Sequence, residues 1–95
     1  MADNNRDRSP TGDVQDAPVL YDDENDILYV TLSETKVVKT VALDDLRLVD
    51  YDAAGEPAGI EFIGASEGLD LSDVPSAALI QALLTKAGID FAVVA

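Results

Sequence analysis

Between Val19 and Ile63 every apolar run stops within the length of a strand, and each is closed by a cluster of turn-forming residues. A chain punctuated at this spacing has no room for long helices. It is driven toward short strands joined by tight connections, which favours antiparallel neighbours. The spacing predicts a first strand at Val19–Asp22, then a turn over the acidic residues 22–26. In the second, residues 27–33, Leu28, Val30 and Leu32 alternate with Tyr29, Thr31 and Ser33. A third, residues 36–43, is rich in β-branched side chains. The pair Asp44-Asp45 turns into a fourth, residues 46–52, and residues 53–56 turn into a fifth, Pro57–Ile63. Gly55 supplies the positive φ that a short hairpin loop requires.

After Gly64 the period changes. Ser72-Asp73-Val74-Pro75 offers a capping side chain followed by a proline tolerated in a first helical turn. Leu79, Ile80, Leu83, Leu84 and Ala87 then form one helical stripe, with Lys86 suited to the negative end of the helix and Gly88 to its termination. Residues 89–94 are expected as a sixth strand or as a clamp under the helix. The expected fold class is α+β: an antiparallel β-meander of four to five strands with one C-terminal α-helix packed on the sheet. Residues 1–18 contain only four apolar side chains and are expected as a disordered polar tail, leaving residues 19–95 as a single small domain.

Composition removes whole classes of chemistry. The 95 residues include no cysteine and no histidine, which excludes disulfides, thiolate nucleophiles, imidazole ligands and His-based catalytic triads. No apolar run reaches the ~20 residues of a membrane-spanning helix. The first residues lack the apolar core of a secretory signal, so a cytoplasmic location is expected. Nineteen acidic residues against six basic ones give a net charge of −13. The tail has two arginines and four aspartates, so the acidity belongs to the folded part. Phosphate backbones are bound through clustered Lys and Arg, so nucleic acid is not an expected partner. The acidity suits either solubility or a basic protein partner.

The order of residues also resembles a known family. Tyr21-Asp-Asp-Glu-Asn-Asp-Ile-Leu-Tyr-Val-Thr-Leu32, Val49-Asp-Tyr-Asp-Ala-Ala-Gly55, Gly59-Ile-Glu61 and Ala65-Ser66 are similar to the small bacterial proteins grouped as domain of unknown function 2283, across residues 19–66. The resemblance implies a β-meander with no assigned activity. For some members it implies an antitoxin paired with a small ribonuclease-like toxin. The Ala54-Gly55 pair departs from the family's Asp-Gly hairpin, a difference of turn chemistry only.

Asp50, Asp52, Gly55 and Glu61 nearly fit a calcium-loop spacing. Ala54 removes one ligand, and a hairpin carries Glu61 away from the turn, so no metal is expected. No catalytic residue or cofactor is assigned, and an enzyme is not expected, since a domain this small offers little room for a substrate cleft. Gly59 inside a strand suggests a bulge or close packing against the helix. The expected partner surface is the acidic turn, Asp22, Asp23, Glu24 and Asp26, with Tyr29, Leu83 and Leu84 supplying apolar area. The expected role is a protein-interaction module, antitoxin-like, whose partner is a small basic protein. The alternative is a homo-oligomeric structural domain, pairing with itself and acidic only for solubility.

Overall fold

The structure, a computed structural model, describes residues 18–94. The expected disordered tail lies almost wholly outside the described residues. Five strands form one antiparallel sheet: β1 (Val19–Asp22), β2 (Ile27–Thr31), β3 (Val37–Asp44), β4 (Arg47–Asp52) and β5 (Pro57–Ile63). A 3₁₀ turn follows at Ala65–Glu67, then β6 (Leu69–Asp70), helix α1 (Ala77–Lys86) and β7 (Val93–Val94). The antiparallel sheet and the C-terminal helix packed on it agree with the reading from sequence.

The strand order across the sheet is β1-β2-β5-β4-β3, so it departs from a pure meander at one connection. Residues 32–36 carry the chain from β2 over the ends of β5 and β4 to the far edge. That is three strand spacings, roughly 14 Å, within the ~20 Å reach of the six Cα–Cα steps from Thr31 to Val37. The crossing is held by the N–H groups of Leu32 and Ser33, which donate to the Ala58 carbonyl at 2.9 and 3.2 Å. The Thr35 hydroxyl then donates to Asp52 at 2.9 Å. β5 thereby slots beside β2, in a Greek-key order.

Alternation decides which side chains are buried. Leu28 and Val30 of β2, Val49 of β4, and Ile60 and Phe62 of β5 lie on one face and form the core with Ala65, Leu69, Leu71, Val74, Ile80 and Leu84. No polar or charged side chain is buried among the described residues. The opposite face carries the cross-strand row Leu20, Tyr29, Glu61, Leu48 and Ala42.

The helix begins later than the capping residues suggest. Ser72 is taken by Asp70, whose carboxylate accepts its N–H at 2.9 Å and its hydroxyl at 2.6 Å. Asp73 then adopts a left-handed φ of 60°, and Val74 turns into the core. The N-cap is Ser76, also left-handed, and its side chain makes no capping bond. Of the expected stripe, Ile80 and Leu84 are buried and Leu79 is 46% exposed. The C-terminal end follows expectation. Gly88, at φ 77°, donates to Thr85 while Ile89 donates to Leu84, closing a Schellman motif.

The last segment ends in a short strand outside the main sheet. β7 pairs in parallel with β6, Leu69 with Val93 and Asp70 with Val94. Just before it, the Phe91 ring meets Tyr21 edge-on at 5.0 Å between centroids.

Candidate functional site

Antiparallel strands joined end to end return every second turn to the same edge of the sheet. Here the β1–β2 turn, the β3–β4 turn and the exit from β5 share one end. Asp22 and Asp26, Asp44 and Asp45, Glu67 and Asp70 are thereby gathered at that end. Each segment is acidic in the sequence, but their convergence is a product of topology.

The β1–β2 turn is held from within. The Asp22 carboxylate accepts the N–H groups of Glu24 and Asn25 at 3.1 and 3.2 Å and the Asn25 side-chain amide at 2.9 Å. These bonds, the Asn25 side chain first, hold its carboxyl below the usual aspartate range. Asp26 closes the turn at a left-handed φ of 55°, which Asp adopts more readily than most residues. Its carboxylate accepts the Tyr21 hydroxyl at 2.6 Å, the Ser66 N–H at 2.9 Å and the Ser66 hydroxyl at 2.7 Å. Its own carbonyl accepts the N–H groups of Gly64 and Ala65. Asp26 therefore ties the first hairpin to the 3₁₀ turn 40 residues away. The Tyr21 bond, then Ser66, lowers the Asp26 carboxyl, and in return the Tyr21 phenol is pushed up to about 12.

At the β3–β4 turn one Asp44 oxygen, Oδ2, accepts both Arg47 Nε at 3.0 Å and Nη2 at 2.9 Å, which lowers its carboxyl. Arg47 Nη1 reaches the carbonyls of Asp70 and Ser72 at 3.0 and 2.6 Å and stands 3.8 Å from the Asp70 carboxylate. This single cation fastens the β6 segment to the sheet. Reading the sequence did not single out Arg47 or Asp70. A shallow cavity of about 180 Å³, lined in part by Asp44, Arg47, Glu67 and Asp70, lies between them. It is smaller than the ~300 Å³ of a small-molecule site.

The four acids proposed from the turn thus divide. Asp22 and Asp26 are occupied in holding it, while Asp23 and Glu24 are exposed. Among the described residues no hydrogen bond or ion pair takes up the carboxylates of Asp23, Glu24, Asp45 or Glu67. Tyr29 lies on the open face of the sheet, half-buried, with its hydroxyl donating to Asp50 at 2.7 Å. Asp50 also accepts the Thr40 hydroxyl at 2.5 Å. Burial and the Asp50 bond push the Tyr29 phenol upward. Leu84 sits in the core at 3% exposure, and Leu83 packs half-buried against it. The large exposed apolar side chain on the helix is Leu79.

The strand does bulge beside Gly59, where the register with β4 shifts between Asp50 and Tyr51, but the close contact of Gly59 itself is with Tyr29 and not the helix. A Cβ there would lie 2.0 Å from the Tyr29 oxygen and 2.6 Å from its ring carbon. At the β4–β5 turn the Asp52 carboxylate accepts the N–H groups of Ala54 and Glu56, and Gly55 takes φ 82°. Glu61 stands in mid-strand opposite Leu48 and Tyr29, away from that turn. No cluster of three metal-ligating side chains occurs among the described residues, and no helix there is long and apolar enough to cross a membrane.

An α+β domain built on a five-stranded antiparallel sheet, with acidic turns gathered at one end, is the class these features define. The chain belongs to the DUF2283 family, described as a protein of unknown function, whose model matches residues 19–66. An uncharacterised protein of Methanocaldococcus jannaschii is 47% identical over 47 residues. The match covers 50% of this chain and 40% of that protein, so the shared part is less than half of the relative. No solved structure matches. The matched span contains the whole five-stranded sheet together with Tyr29, Asp50, Gly59 and the Asp26–Ser66 tie. The helix and β7 lie beyond it.

Proposed function

We propose that this domain is a non-catalytic interaction module that receives a small basic protein on the acidic end of its sheet, as an antitoxin-like neutraliser would. The supporting observation is the convergence of the β1–β2, β3–β4 and 3₁₀ turns, with Asp22 and Asp26 occupied in holding the first of them. Asp23, Glu24, Asp45 and Glu67 are then offered on backbone that is already ordered. Acidic groups fixed in advance lose little freedom on binding and steer a basic partner during its approach. The net charge of −13 extends that field over the whole molecule.

The test begins with the tagged chain at low salt in an extract of its own host, followed by association kinetics with any small basic protein recovered. Replacing Asp23, Glu24, Asp45 and Glu67 by their amides should slow association about tenfold at low salt. The dissociation rate and the melting temperature should change little. Association rates that match the parent, or that ignore ionic strength, would dismiss the acidic end as the receiving surface.

A further inference from the structure

The edge of the sheet farthest from the acidic β1–β2 turn is β3, the longest strand at eight residues. It is exposed along nearly its whole length, with Val38 at 57%. Among the described residues nothing pairs with its outer side. An edge of this kind presents unpaired N–H and C=O groups to whatever strand can match it. Beside it lies a groove of about 440 Å³ lined in part by Val38, Val41 and Tyr51.

We infer that this chain pairs with a second copy of itself through β3, antiparallel about a two-fold axis at Thr40. The pairing makes a continuous ten-stranded sheet. The sequence of the strand selects this register. Centring on Thr40 sets Lys36 opposite the partner's Asp44 at both ends, and sets Lys39 opposite the partner's Val41. Centring one residue earlier would place Lys39 opposite its own copy, a like-charge pair. Centring one residue later leaves Asp44 opposite Val38 with no cation to meet. Register shifts near Val38 and Leu43 leave residues 39–42 as the regular stretch, and Thr40 lies within it.

The symmetry also suits the charge. A two-fold axis normal to the sheet turns the acidic end of one copy away from the acidic end of the other. Of the three lysines of the chain, Lys39 lies on the shared strand and Lys36 immediately before it. The β1–β2 turn remains at the outer edge of each copy, while the β3–β4 turn with Asp45 flanks the shared strand, so the pairing and the basic-partner reading are told apart by their opposite responses to salt and by Thr40→Lys. A strand of about 27 Å is a small interface, which places the dimer among the weak ones.

Sedimentation from about 1 µM to about 200 µM should show a monomer–dimer equilibrium. It should tighten roughly tenfold when salt is raised, because each copy carries −13 and salt screens the repulsion. A basic partner on the acidic end would respond to salt in the opposite sense. The chain has no cysteine, so Thr40→Cys reports the axis directly. Facing residues in an antiparallel pair are about 5 Å apart at Cα, within disulfide reach. Mild oxidation should cross-link Thr40→Cys, and Val41→Cys far less. Thr40→Lys, and separately Lys36→Glu, should weaken the dimer about tenfold while circular dichroism stays unchanged. A monomer at every concentration and salt overturns the pairing, as does a dimer that folded Thr40→Lys leaves intact. Stronger cross-linking at position 41 overturns the register. None of these outcomes touches capture of a basic protein, which can be repeated on Thr40→Lys.

Discussion

Tyr29, Gly59 and Asp50 form one device on three adjacent strands. The Tyr29 ring crosses the open face above Gly59 and ends on the Asp50 carboxylate. A methyl group at position 59 has no space, because it meets the ring and not merely its flexible tip. Gly59→Ala should therefore swing the ring out, break the Asp50 bond and destabilise the domain by about 2 kcal/mol. In a Tyr29→Ala background the same change should cost far less. Equal costs in the two backgrounds, measured by urea unfolding, would mean that the ring is not what Gly59 accommodates. The glycine in a strand was legible as a close approach. Its neighbour was not, because the diagonal from Tyr29 to Asp50 exists only once β5 lies between β2 and β4.

The helix shows where local pattern stops being informative. Its apolar residues were legible, and so was its C-terminal end, since Gly88 at a left-handed position closes the last turn by itself. Its start was not, because Asp70 competes for Ser72 and the chain turns twice at positive φ before Ala77. That delay fixes which leucines are buried. Leu84→Ala should cost about 3 kcal/mol, as a cavity in the core. Leu79→Ala should stay within about 0.5 kcal/mol, as a surface change. Thermal unfolding of the two variants checks this, and similar losses would contradict the orientation of the helix.

For the molecule as a whole, stability is tied to carboxylates that are ionised in the fold. Asp22, Asp26, Asp44, Asp52 and Asp70 are all held below the ordinary aspartate value of 3.8 by hydrogen bonds or by Arg47. On acidification the unfolded chain takes up protons first, so the fold loses stability as pH falls below about 4 and keeps this contribution in full above it. The urea midpoint should drop steeply below about pH 4. Asp26→Asn should unfold more easily at pH 7 and show a shallower acid slope. An acid slope identical to the parent's would show that the Asp26 tie carries none of this dependence.

The sequence by itself determined the strands, the hairpin turns, the helix end and the acidity, because each is set by neighbours a few residues apart. Period-two alternation, a glycine at positive φ and a run of aspartates act locally. The tertiary structure decided the strand order, the neighbour of Gly59, the tie from Asp26 to Ser66 and the gathering of acidic turns at one end. Those depend on where residues 32–36 carry the chain, and that crossing is fixed by hydrogen bonds to Ala58 and Asp52. Its partners lie 17 or more residues further along the sequence, beyond the reach of any local pattern.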